Sequence, residues 1–107
     1  MNLPTVVAEL VKAQDDFDSV AYANCFSEAA VVHDEGKTHT GRAQIRAWIS
    51  EANGKYGSVM KPIRYMETEA GGVLAAEISG SFAGSPVVLN YRFELKGNLI
   101  RTLGITA

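Results

Sequence analysis

Apolar residues recur at helical spacing over the first third of the chain and at strand spacing over its last half. Leu3, Val7, Leu10, Val11 and Gln14 follow the i, i+4, i+7, i+8 face of an amphipathic helix, with Pro4 tolerated in its first turn. The segment FDSVAYANCF predicts a second, shorter helix. Asp18 suits its N-cap, since the carboxylate accepts an orphan backbone N–H. Phe17 and Tyr22 flank that cap at the spacing of a hydrophobic staple. Tyr22, Cys25 and Phe26 then form one apolar face. Residues 30–34 predict a short strand, turning at Glu35-Gly36 into a return strand over 37–40. A third helix is predicted over 42–56, with Ile45, Trp48, Ile49 and Ala52 on one stripe. Either Gly54 or Gly57 can end it in the left-handed conformation.

From residue 58 the period changes to two. Ile63 and Tyr65 alternate with Arg64 and Met66, and Gly71-Gly72 reads as a turn. Leu74, Ala76, Ile78 and Phe82 alternate with Ala75, Glu77, Ser79 and Ser81 as a strand, and AGSP is the next turn. The strand after it has the clearest pattern: Val87, Leu89, Tyr91, Phe93 and Leu95 on one face, Val88, Asn90, Arg92, Glu94 and Lys96 on the other. Lys96-Gly97-Asn98 turns the chain into a last strand over 99–106. Helices first and hairpins afterwards predict an α+β domain with helices on one face of an antiparallel sheet. The first hairpin must join the later sheet from a distance in sequence.

Composition narrows the function. The 107 residues suffice for one core, hence a single domain over 1–107. The net charge of −2 and the lack of a lysine-arginine block leave no electrostatic footprint for nucleic acid. No apolar run is long enough to cross a bilayer, and no basic-then-apolar leader opens the chain, so a cytoplasmic protein is expected. Cys25, the only cysteine, has no intrachain disulfide partner and no zinc-ligand spacing. It reads as buried packing, and no cofactor is called for.

Against this background AAVVHDEGKTHTG, residues 29–41, stands out: two imidazoles and two carboxylates lie within seven residues. Ala30, Val32 and Asp34 share a strand face. A two-residue turn at Glu35-Gly36 would pair Asp34 with Lys37 and Val32 with His39. His39 would then lie on the side of Asp34, with His33 opposite. An Asp34–His39 pair would make an acid–base dyad, while a one-residue slip would turn the same cluster into a solvated hairpin tip. Adjacent strand residues point apart, which disfavours a metal site built from His33, Asp34 and His39. Arg42 and Arg46 are either an anion-binding pair near a helix start or a solvated face.

The stretches FSEAAVVHDEG (26–36), TGRAQIRAWI (40–49) and VLNYRFELKGNLI (88–100), taken with the helices before them, resemble the SnoaL-like and ketosteroid isomerase-like branch of the nuclear transport factor 2-like superfamily. The resemblance implies a cone: a curved mixed or antiparallel sheet wrapped around about three helices, with an internal apolar pocket. It also implies homodimers packed through the sheet, for which Val73 and Val88, with the outward members of Leu99, Leu103 and Ile105, would supply a patch. In the isomerase branch a carboxylate on the first strand shuttles a proton, and Asp34 falls on that position. The branch's hydrogen-bond donors for the enolate oxygen, a tyrosine on the first helix and a protonated acid on a late strand, correspond here to Leu10 and Leu89, which cannot donate. Tyr22, Trp48, Tyr65 and Tyr91 are candidates to line the pocket with Leu89, or to be ordinary core aromatics. The expected partner is a small hydrophobic molecule.

Three functions fit these residues. One is a proton-transfer enzyme of isomerase, cyclase or dehydratase type acting on a carbonyl-bearing ligand, with Asp34 as base assisted by His39 or a tyrosine. The others are a non-catalytic binder of such a ligand and a dimeric association module. Small residues at Ala30, Ala76 and Gly80 favour an open cavity over a filled cone.

Overall fold

Three helices and six strands make up the computed structural model, which describes residues 1–107. Helix α1 (Thr5–Asp15) follows Pro4 and buries Val6, Val7, Leu10, Ala13 and Gln14. It ends in a Schellman motif: the Phe17 N–H donates to the Gln14 carbonyl and the Asp18 N–H to the Ala13 carbonyl, at 3.1 and 2.9 Å. Phe17 therefore takes a left-handed φ of 52° and stays 47% exposed, so it turns the chain instead of stapling the next helix. Asp18 caps α2 (Ser19–Asn24) as expected, its side chain accepting from the Ala21 N–H at 3.0 Å.

The chain then runs through β1 (Phe26–Asp34), β2 (Lys37–Thr40), α3 (Gly41–Tyr56), β3 (Val59–Glu67), β4 (Gly71–Ser79), β5 (Val87–Lys96) and β6 (Leu99–Thr106). The strands form one sheet in the order β2-β1-β6-β5-β4-β3. Every neighbouring pair is antiparallel except β1 and β6, which run parallel. Thus the first hairpin joins the sheet through the last strand, across most of the chain.

Three register shifts bend the sheet, between Phe26 and Val31, Pro62 and Arg64, and Glu94 and Leu95. At the second, Ile63 is the extra residue; it leaves the alternation and lies 47% exposed. Pro62 is tolerated there because β3 is an edge strand and the ladder is already interrupted.

The concave face and the helices enclose the core, in which Leu10, Phe26, Val32, Ile45, Leu74, Phe93, Ile100 and Leu103 are all sealed from solvent. Of the two candidate stops for α3, Gly57 is used, at φ 57° and ψ 44°.

Two turn assignments move. Gly71 and Gly72 belong to β4, and the turn lies at Thr68–Ala70, closed by paired backbone bonds between Thr68 and Gly71. A Cβ on Gly72 would strike the Tyr65 ring, and one on Gly71 would lie 2.5 Å from the Phe93 carbonyl oxygen. These glycines answer to close approach, not to turning. Phe82 likewise leaves the strand for a loop over residues 80–86.

Candidate functional site

Glu35 and Gly36 form the two-residue turn with φ values of 52° and 75°. Two positive φ angles match the twist of a tight hairpin and set its register. Asp34 pairs with Lys37 and Val32 with His39, so Asp34 and His39 share the inner face. Val32 and Ala30 are fully buried on that face, and Asp34 ends the row half-buried.

A cavity of about 770 Å³ begins at this hairpin and runs beneath α3. That volume suits a drug-sized molecule. Asp34, His39, Trp48, Tyr22, Tyr91 and Ile105 border one end; Met60, Ile78, Phe82 and Val87 border the other, with Leu89 also in the wall. Exposed lining residues such as Lys37, Gln44 and Glu51 show that it opens to solvent. Gln14 is fixed at the far end, its amide donating to the Asn53 side chain at 3.1 Å and the Ser58 carbonyl at 2.8 Å.

Burial raises the proton affinity of Asp34, and the neighbouring Glu35 carboxylate raises it further. Trp48 and His39 act in the opposite direction. Trp48 lies close enough to favour the charged carboxylate, but neither side chain makes a hydrogen bond or ion pair of regular geometry with it. Asp34 and His39 thus share a face with no hydrogen bond or ion pair joining them. Stacking orients the imidazole instead: its centroid lies 5.2 Å from that of Trp48, with the rings 23° apart. Trp48 in turn meets Tyr22 edge-on at 6.0 Å.

Tyr22 and Tyr91 are 2% and 7% exposed, and burial, first among causes, raises both phenol pKa values. Both also feel the charge of Asp34. Neither hydroxyl has a protein hydrogen-bond partner, and both reach accessible space in the cavity they border.

Tyr65 does not join them. It lies outside the cavity wall, its hydroxyl sealed against Gly72 without a partner. His33 turns outward and approaches Thr38, Nδ1 to Oγ1 at 3.4 Å, so His33 does not converge with Asp34 and His39. Nor do the small residues open the cavity: Ala30 and Ala76 are packed in the core, and Gly80 lies against the Tyr56 carbonyl.

No protein-family model and no curated protein matches the chain. Solved structures do. A protein from Sinorhizobium meliloti, provisionally described as a polyketide cyclase, is 34% identical with a TM-score of 0.93, over 97% of this chain and 95% of its own. A hypothetical protein from Catenulispora acidiphila with a ketosteroid isomerase-like fold, in complex with trimethylamine, superposes with a TM-score of 0.88 at 18% identity, over 99% and 87%. SalBIII, an epoxide hydrolase/cyclase-like enzyme with a role in pyran ring formation in salinomycin, superposes with a TM-score of 0.80 at 20% identity, over 94% and 85%. The chain belongs to the SnoaL-like branch of the nuclear transport factor 2-like superfamily.

Within this SnoaL-like cone the two non-donating positions occupy different places. Leu10 is sealed in the core, whereas Leu89 lines the cavity and gives it an apolar wall. Of the two arginines, Arg42 is committed to the fold, its Nε donating to the Phe26 carbonyl at 2.8 Å and tying α3 to β1. Cys25 is a buried cap residue whose thiol, pushed up by burial to about 11, donates to the Ala21 carbonyl. Sequence reasoning missed the far wall, because Gln14, Asn53, Phe82 and Val87 meet only through long-range packing. No local signal marks them.

Proposed function

We propose that this SnoaL-like protein is a proton-transfer enzyme acting on a hydrophobic, carbonyl-bearing small molecule, with Asp34 as its base. One observation carries the reading: the half-buried Asp34 carboxylate, held in no ion pair, borders a ligand-sized cavity walled mainly by apolar and aromatic side chains. Such a carboxylate can accept a proton from carbon and return it, because burial moves its proton affinity toward the working range. The provisional polyketide cyclase at 34% identity supports a substrate class rich in carbonyl groups.

The test is deuterium uptake by an enolisable bicyclic ketone, 2-tetralone, followed by NMR in D₂O. Wild type should accelerate exchange at the carbon beside the carbonyl, and Asp34→Asn should slow it by about a hundredfold or more, the scale of a lost general base. Exchange no faster than buffer, or equally fast in the variant, overturns the reading. A carrier is the second reading, favoured by the apolar Leu89 in the wall. It requires that the ketone bind without exchanging.

The reading extends to assembly as a homodimer through the outer sheet face. Val88 is 50% exposed there, with Met66 and Val59 at 59% and 47% on the same face. Leu103 and Ile105 point inward and supply nothing to it.

A further inference from the structure

The far end of the cavity holds a polar group that neither the fold nor the chemistry at Asp34 uses. Gln14 lies on the inward face of α1 and is 6% exposed, the one polar side chain buried with the core. The Ser58 carbonyl, 2.8 Å away, fixes how its amide is turned, because a backbone carbonyl only accepts and so must face Nε2. The second Nε2 hydrogen goes to the Asn53 Oδ1 at 3.1 Å. Both N–H donors are thereby consumed, and Oε1 is left with no donor from the protein. Unlike the Tyr65 hydroxyl, this oxygen is not sealed: Gln14 borders the cavity, and Oε1 keeps accessible surface. A carbonyl oxygen so deeply placed and unpaired forfeits the hydrogen bonds it had in water, and buried groups in that state are rare.

We infer that Gln14 is a specificity residue, its Oε1 accepting a hydrogen bond from a hydroxyl group at the end of the ligand remote from Asp34. The amide is held from two sides, by α3 through Asn53 and by the entry to β3 through Ser58. Little side-chain freedom is therefore left to lose when the ligand arrives. The surrounding walls decide the charge of the donor. Met60, Ile78, Phe82 and Val87 are apolar, so an ammonium group here would give up its hydration for a single neutral acceptor. A neutral hydroxyl gives up far less and regains it at Gln14. Asn53 suits the same group: with Oδ1 turned to Gln14, its Nδ2 is free to donate, and a hydroxyl both donates and accepts. The inference deepens the proposed function and rests on that reading for the carbonyl end alone. The ligand class becomes an elongated apolar molecule with a carbonyl at one end and a hydroxyl at the other.

The test compares two probes of one shape, 4-acetyl-4′-hydroxybiphenyl and 4-acetyl-4′-methylbiphenyl, which differ only at the end remote from the carbonyl. Dissociation constants for both are measured by NMR titration of wild type and Gln14→Met at neutral pH. The substitution keeps the length of the side chain and removes the acceptor. The hydroxyl-to-methyl affinity ratio should therefore fall by about tenfold, the scale of one hydrogen bond. Loss of the bonds to Asn53 and Ser58 should lower the melting temperature, but a purely structural effect weakens both probes alike and leaves the ratio unmoved. In wild type, the ring protons beside the hydroxyl should show nuclear Overhauser contacts to the Met60 and Ile78 methyls, a readout that needs no variant. A ratio unchanged by the substitution overturns the inference. So do contacts from the hydroxyl end to Trp48 instead, or failure of the hydroxyl probe to bind wild type. Ketone exchange enters neither readout: a ratio that falls as expected, with no exchange in 2-tetralone, leaves the Gln14 subsite standing and removes Asp34 as base.

Discussion

Asp34 holds its proton more tightly in the fold than in the unfolded chain, and the cause is burial, with Glu35 beside it adding to the effect. The folded state therefore binds more protons than the unfolded one between the usual aspartate range and the raised value. Stability falls as pH climbs through that window and stays lower above it. Asp34→Asn should accordingly raise the melting temperature at neutral pH, with no gain below the usual aspartate range, where both states carry the proton. Melting curves across pH check this, and a variant less stable at neutral pH would contradict it. The proposed role of Asp34 as a base runs against stability here. Exchange should fall as acid is added, at a midpoint above that of an exposed aspartate. Asp34 was legible in the sequence because alternation and a two-residue turn are local rules. The placement of Tyr65 was not, since alternation gives the face of a residue but not its distance along the sheet from the cavity.

At the scale of elements, local chemistry succeeds where it is sufficient by itself. The Asp18 cap and the Glu35-Gly36 hairpin each depend on a few adjacent residues and lie where the chain reading puts them, while the α3 stop falls on Gly57, one of its two candidates. Gly71-Gly72 fails that test. A glycine pair reads as a turn until the Tyr65 ring and the Phe93 carbonyl arrive from other strands to require it. The junction of α1 and α2 is a case between the two. Its Schellman motif needs a left-handed residue, and the chain supplies Phe17 where glycine is the usual choice. A non-glycine residue there costs about 1–2 kcal/mol, against about 0.5–1 kcal/mol for the extra freedom of glycine in the unfolded chain. Phe17→Gly should therefore be more stable than Phe17→Ala by about 0.5–1 kcal/mol, a comparison in which loss of the half-buried ring cancels. Urea titration at equilibrium measures the difference, and a glycine variant no more stable than the alanine one would mean that residue 17 is not held in the left-handed region.

The whole molecule divides its two sheet faces between different tasks. The concave face carries the core and the cavity, so its apolar residues are accounted for by α1, α2, α3 and the cavity wall. On the convex face Val88 lies opposite Glu77, which in turn faces Lys61, while Met66 lies opposite Val73. No helix covers these positions. A two-fold pairing of this face would bring each exposed valine and methionine against the same patch of a second copy, so any substitution acts twice. Val88→Lys is the informative change. In a single chain the lysine would sit beside Glu77 on an exposed strand position and should leave the melting temperature nearly unchanged. In a dimer it would bury two unpaired ammonium groups, weakening association by about a hundredfold or more. Light scattering behind size exclusion should give twice the chain mass for wild type and the single mass for the variant. Cavity and dimer can fail independently, because the substitution lies on the face of the sheet opposite Asp34: a monomeric wild type would remove the assembly proposal while leaving ketone exchange intact.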